Sequence, residues 1–276
     1  MANLLEQLRP LPPTPQHGQV RMSEVEVEVV DSVMVVTINR PEARNAVNRP
    51  AAEQLVSAFR RFDSDDSLSV AILTGADGAF CAGADLKAVA SATGNRIDAD
   101  MTLDGPMGPT RMDLSKPVIA AIEGHAVAGG LELAIWCDLR VAASDATLGV
   151  YCRRWGVPLV DGGTVRLPRL IGHGRAMDLI LTGRGVSAPE ALAMGLVDRV
   201  VEPGSALASA LDLAHQLAAL PQRCLRSDRR SAIDQWSLDT HRALAHETEV
   251  GLVTVRSGET IEGAARFANG AGRHGA

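Results

Sequence analysis

Residues 123–138, E-G-H-A-V-A-G-G-L-E-L-A-I-W-C-D, decide how the rest of this chain is read. The apolar run Val118–Ile122 before them predicts a strand, followed by a glycine turn and a short helix starting near Gly129. Apart from Glu132, the run Leu131–Cys137 carries no charge, so this helix is expected to be buried on all sides. A carboxylate in such a helix costs desolvation energy and calls for partners.

Working outward, 276 residues with 46% hydrophobic and 22% charged side chains describe an ordinary globular chain with a sizeable core. Aromatic residues make up only 3%, so Val, Leu, Ile and Ala must fill the core, and base-stacking platforms for nucleic acid are not expected. The net charge of −6 gives no global attraction to nucleic acid or to an acidic membrane. Four cysteines lie far apart without C-x-x-C spacing, which reads as reduced thiols in a cytoplasmic protein with no zinc site. The membrane-like window Val118–Trp136 holds Glu123, His125 and Glu132, and is a core segment rather than a bilayer span.

Residues 1–20 are proline-rich and read as a flexible arm. Val25, Val27 and Val29 alternate with glutamates, the period of a half-buried strand, and Val33–Asn39 returns as its hairpin partner. Pro50 opens an amphipathic helix to about Asp63, and Val70–Thr74 is a buried strand. Residues 92–112 have weak periodicity, as expected beside an active site. Strand and helix alternate to about residue 201, and the pattern is helical from Ser205 onward. The expectation is an α/β core over 21–201 and a helical module over 202–276. Arg223, Arg226, Arg229 and Arg230 share one face there, expected to be solvated or subunit-facing.

Two junctions combine an apolar strand with small residues at the turn: Phe80-Cys81-Ala82-Gly83-Ala84-Asp85 and Ala128-Gly129-Gly130. Small residues let a ligand approach the backbone, and helix starts leave N–H groups unpaired. Two such groups converging on one point make an oxyanion hole; the alternative is two tight turns beside helix caps. Glu132, three residues after Gly129, shares its helix face and leans back toward the same point. Asp161 in L-V-D-G-G-T suits a helix cap equally with a second carboxylate facing the pocket. Asp85 suits the cap of a helix beginning L-K-A-V-A. His125 and His173 sit in glycine turns with no ligand cluster, so no metal is expected. Cys152 reads as a packed thiol rather than a nucleophile.

Taken together, these segments resemble the crotonase (enoyl-CoA hydratase/isomerase) superfamily from about Val25 to Phe267. The resemblance rests on N-R-P-E-A-R-N-A-V-N (39–48), F-C-A-G-A-D-L-K (80–87), the long block 116–138, and G-G-T-V-R-L-P-R-L-I-G (162–172). Further blocks are L-T-G-R (181–184), 188–201 and E-G-A-A-R-F (262–267). It implies a spiral of ββα units with a helical C-terminal trimerisation region, as a homotrimer or a dimer of trimers. The implied ligand is an acyl-CoA thioester, with coenzyme A part of the substrate and no further cofactor. On this sequence the implied oxyanion donors are Ala84 and Gly129, with Arg44, Ala46, Ala82, Asp85 and Phe267 near coenzyme A. Glu132 matches the first glutamate of a typical hydratase. Cys152 stands where the second is expected, and Asp161 falls where several members place a catalytic aspartate. Hydration, double-bond isomerisation, thioester hydrolysis and a weakened acyl-CoA-binding protein all fit that pattern.

Overall fold

The first strands form a hairpin whose turn at Asp31 takes a left-handed φ of 54°. In this computed structural model, which describes residues 23–271, β1 (Val25–Val30) pairs antiparallel with β2 (Val33–Ile38). The arm expected over 1–20 lies outside the described residues. All later pairings in the main sheet are parallel. Its order is β1-β2-β3-β4-β6-β9, with β3 Val70–Gly75, β4 Val118–Ile122, β6 Leu139–Ala143 and β9 Arg199–Val201. A second sheet joins β5 (His125–Val127), β7 (Thr147–Gly149) and β8 (Gly185–Ser187).

Strand alternation divides the main sheet's side chains between two cores. Met34, Val36, Ile38 and Leu73 pack with α1 (Arg49–Ser64), α3 (Gly129–Trp136) and the second sheet. Val33, Val35, Ile72 and Ile119 face the other way, onto Ala206, Ala210, Leu213 and Ala214 of α7 (Ala206–Ala218). Helix α7, which opens the helical stretch expected over 202–276, therefore covers one face of the main sheet. Helices α8 (Gln222–Asp234), α9 (Thr240–Arg256) and α10 (Glu259–Ala268) follow.

Two local expectations change. Val27 and Val29 are 38% and 43% exposed, on an edge strand whose far end no helix among the described residues covers. The basic face of α8 is not simply solvated. Arg229 pairs with Asp138 at 2.8 Å and bonds the Leu114 carbonyl at 2.6 Å, tying α8 to the core. No helix among the described residues is long and apolar enough to cross a membrane.

Candidate active site

Parallel pairing brings the two small-residue junctions together. Cys81 N–H donates to the His125 carbonyl at 2.8 Å, and Val127 N–H to the Cys81 carbonyl at 3.1 Å, putting Cys81 opposite Ala126. Three residues further along both segments stand Ala84 and Gly129. A side-chain carbon on Gly83 would lie 2.8 Å from Ala128 Cβ and 3.0 Å from Gly129 N, so the backbones touch there. Gly83 has φ +100°, which glycine alone adopts without strain.

On the other side of Ala84, Val47 N–H donates to the Gly83 carbonyl and Asp85 N–H to the Val47 carbonyl. That bridge turns the Ala84 N–H away from Val47, and no acceptor among the described residues engages it. Gly129 N–H, the first of α3, is equally unengaged. Ala128 before it holds φ 55°, ψ −126°, a strained conformation for a residue with a side chain. These are two backbone donors on adjoining turns at one cavity, as an oxyanion hole requires.

Helix α3 is buried from Gly129 to Ile135, as the uncharged run requires. Glu132 Oε1 accepts from the N–H groups of Asp161 (2.9 Å) and Gly163 (2.8 Å), at the start of α4 (Gly163–Ile171). A Cβ on Gly163 would crowd Oε1 at 2.9 Å, so glycine there admits the carboxylate. Burial, reinforced by the nearby Asp161 charge, pushes the Glu132 carboxyl up to about 7.

Asp161 does not cap α4. The cap position is Gly162, and the Asp161 carboxylate turns instead to the loop before β4. Its Oδ1 accepts from Met107 N–H at 2.9 Å and from the Thr110 hydroxyl. The Gly163 N–H, which a capping aspartate at 161 could satisfy, is taken by Glu132. Burial raises the Asp161 carboxyl as well, against the pull of the bonds from Thr110 and Met107. Arg166, one turn into α4, donates to the carbonyls of Asp161 and Thr110, both at 2.8 Å, and locks the two segments together.

The donors and carboxylates face one cavity of about 600 Å³, lined also by Arg44, Ala82, His125 and Cys152. Cys152 is buried; burial and the charge of Glu132 hold its thiol protonated. Three residues expected near coenzyme A do not line this cavity. Ala46 is buried behind the loop, its carbonyl bound by Arg40. Asp85 pairs with Arg40 at 2.9 Å and caps α2 (Leu86–Ala90). Phe267 projects into solvent from α10, 64% exposed. Met107, Thr110 and Arg166 had no sequence signal of their own, since their role depends on where Asp161 points.

The family model for enoyl-CoA hydratase/isomerase matches residues 28–271. This chain belongs to the enoyl-CoA hydratase/isomerase family. It is 39% identical over 249 residues to the enoyl-CoA hydratase EchA19 of Mycobacterium tuberculosis, covering 88% of this chain and 92% of that protein. Identity to the short-chain-enoyl-CoA hydratase of Clostridium acetobutylicum is 35%, over 83% and 88% of the two chains. The crystal structure of enoyl-CoA hydratase EchA1 from Mycobacterium marinum superposes with a TM-score of 0.84 at 39% identity, covering 90% and 96%. The crotonase-like α/β fold expected from the sequence is therefore the fold observed, and the chain is an enzyme of the enoyl-CoA hydratase/isomerase family.

Proposed function

We propose that this enoyl-CoA hydratase/isomerase family member adds water reversibly across the C2=C3 double bond of a 2-enoyl-CoA, with Glu132 and Asp161 as its two acid–base groups. One observation carries this reading: two buried carboxylates, each held through a single oxygen by neighbouring donors, line the cavity that holds the free Ala84 and Gly129 N–H groups.

The thioester oxygen sits on the N–H groups of Ala84 and Gly129 and gathers negative charge as C3 is attacked. Each preorganised donor of this kind contributes on the order of 3 kcal/mol to the transition state. Asp161 takes a proton from the attacking water, whose oxygen bonds to C3. The π electron pair shifts toward C2 and the thioester oxygen, and Glu132 delivers a proton to C2. A carboxyl near 7 holds a proton at neutral pH and yields it readily, which suits Glu132 to the acid's part. Asp161, whose negative charge is among the causes that raise Glu132, takes the anion's part. This acid–base chemistry needs no cofactor beyond the coenzyme A of the substrate.

A second reading, double-bond isomerisation, is favoured by Cys152. A protonated thiol supplies no carboxylate beside the acyl chain, and one base that removes a proton from C2 and returns it at C4 then suffices. The exposed apolar side chains of α9 and α10, among them Leu244, Val253 and Ile261, support assembly as a homotrimer or dimer of trimers. The unpaired cysteines suit a reducing, cytoplasmic setting.

Following conjugated-enoyl absorbance separates these reactions. Loss of signal with a trans-2-enoyl-CoA supports hydration, and a gain with a 3-enoyl-CoA supports isomerisation. Silence with both, despite binding, would overturn both.

A further inference from the structure

The four cysteines of this chain are free thiols, and they are placed very differently. Cys81 and Cys137 are packed away, the first sulfur accepting the Gly83 N–H and the second donating to the Leu133 carbonyl, both at 3.4 Å. Cys224 lies exposed on α8. Cys152 instead lines the cavity of the two free N–H groups and both carboxylates, and only 6% of it is exposed. The backbone fixes its place. Strand β7 ends at Gly149, whose carbonyl accepts the Ala128 N–H at 2.9 Å, so the chain enters the turn Tyr151–Trp155 close to the Gly129 donor. Glu132 lies one turn into α3 from the same donor, near enough that its charge acts on the Cys152 thiol. Glu132 is itself 3% exposed, and its Oε2 has no hydrogen-bond partner among the described residues. A buried carboxylate with one bare oxygen and a buried thiol thus share one cavity, as a base and a nucleophile must.

We infer that Cys152 captures a 2-enoyl-CoA covalently, its sulfur adding to C3 of the conjugated double bond in competition with water. This inference rests on the enoyl-CoA reading above. Ionised Glu132 takes the thiol proton as the sulfur bonds to C3. The π electron pair moves to C2 and onto the thioester oxygen, held by the Ala84 and Gly129 N–H groups, and Glu132 then returns the proton to C2. An S–H bond and a π bond are exchanged for an S–C and a C–H bond, with no oxidant or further reactant. The link between coenzyme A and the acyl group stays intact. At rest the thiol is protonated, so it does not react with electrophiles at large; it needs the Glu132 base and an acceptor polarised by the two donors. Loss of the C2 proton reverses the addition, so the adduct holds substrate off the turnover cycle without destroying the enzyme.

Intact mass and peptide mapping after incubation with saturating trans-2-butenoyl-CoA and an acid quench test this. The protein should gain the whole mass of the enoyl-CoA on the peptide carrying Cys152, about tenfold or more faster than on exposed Cys224, because the site holds thiol and acceptor together. Exposure alone would order the two thiols the other way. Butanoyl-CoA, which lacks the double bond, should add nothing, and Cys152→Ala should leave only the slow Cys224 adduct. Adduct formation should rise with pH through about 7, as Glu132 loses its proton. Glu132→Gln should slow it about tenfold or more. A gain of the acyl mass alone would mean attack at the thioester carbon and overturns the inference, as does an adduct on Cys224 only, or none. The Cys152 adduct without turnover of any enoyl-CoA would leave the inference standing and overturn the proposed reaction. Turnover without the adduct would do the reverse.

Discussion

Glu132 Oε1 lies 2.8 Å from the backbone nitrogen of Gly163, so the acid of one buried helix satisfies the first N–H of another. The same oxygen also takes the Asp161 N–H at 2.9 Å. Oε1 is thus engaged by the backbone, while Oε2 has no hydrogen-bond partner among the described residues. This division governs how substitutions here should behave.

Glu132→Gln keeps an oxygen able to accept both N–H groups but loses the proton that the proposed mechanism assigns to it. Turnover should fall by about 10²-fold or more, with KM changed far less. Steady-state kinetics on the enoyl-CoA that the wild type turns over checks this, and unchanged turnover would remove Glu132 from the mechanism. Glu132→Ala should in addition lower thermal stability, since it orphans two buried donors at a cost of about 1–3 kcal/mol each.

The pH dependence of stability has a definite sign. The Glu132 carboxyl titrates at about 7 in the folded chain against an ordinary value of 4.5. Between those values the native state binds more protons than the unfolded one, so its stability falls as pH rises through this window. Asp161, also raised, acts in the same direction. Melting curves from pH 5 to 8 should show Glu132→Gln gaining on the wild type as pH increases. A constant gap would show that Glu132 ionises normally. For hydration with Glu132 as the acid, kcat/KM should fall above about pH 7; if Glu132 serves isomerisation as a base, it should rise there instead.

Asp161→Asn separates chemistry from capping. The amide oxygen retains the Met107 N–H, and α4 starts at Gly163 without help from this side chain. Melting temperature should change little while turnover drops at least tenfold. The opposite pattern, stability lost and activity kept, would return Asp161 to a structural part.

Gly83→Ala probes the oxyanion hole without touching either carboxylate. The added carbon would sit 3.0 Å from Gly129 N in a backbone of φ +100°. Both donor turns must shift, so kcat should fall by about 10²-fold or more, with some loss of stability from the left-handed strain. Activity near that of the wild type would show that the two N–H groups are not where the transition-state charge develops.

Arg166→Met removes the bonds to the Asp161 and Thr110 carbonyls and a positive charge that draws the Glu132 carboxyl down. The pH limb assigned to Glu132 should move upward and turnover fall, readings that loosened packing alone would not produce together. An unmoved limb would leave Arg166 with no electrostatic part.

Much of this protein could be read from its residues in order. Local rules sufficed for the buried helix around Glu132, the turns at Gly83 and Gly129, the Asp85 cap and the strand pattern, because burial period, backbone freedom and capping act within a few residues. The small-residue turns at Ala84 and Gly129 were legible for the same reason, and the joint action of their N–H groups on a thioester oxygen belongs to the proposed function. What the chain order left undecided was the direction in which side chains point across long separations. Asp161 suits a helix cap by sequence, yet Glu132, 29 residues earlier, occupies that role and frees Asp161 to face Met107 and Thr110. Val27 and Val29 alternate like core residues, yet stay exposed on β1, an edge strand. Helix α7 looks like the start of a separate helical module and instead covers the sheet. In each case elements far apart in the chain decided the outcome, and only the packed structure shows which groups they bring together or leave uncovered.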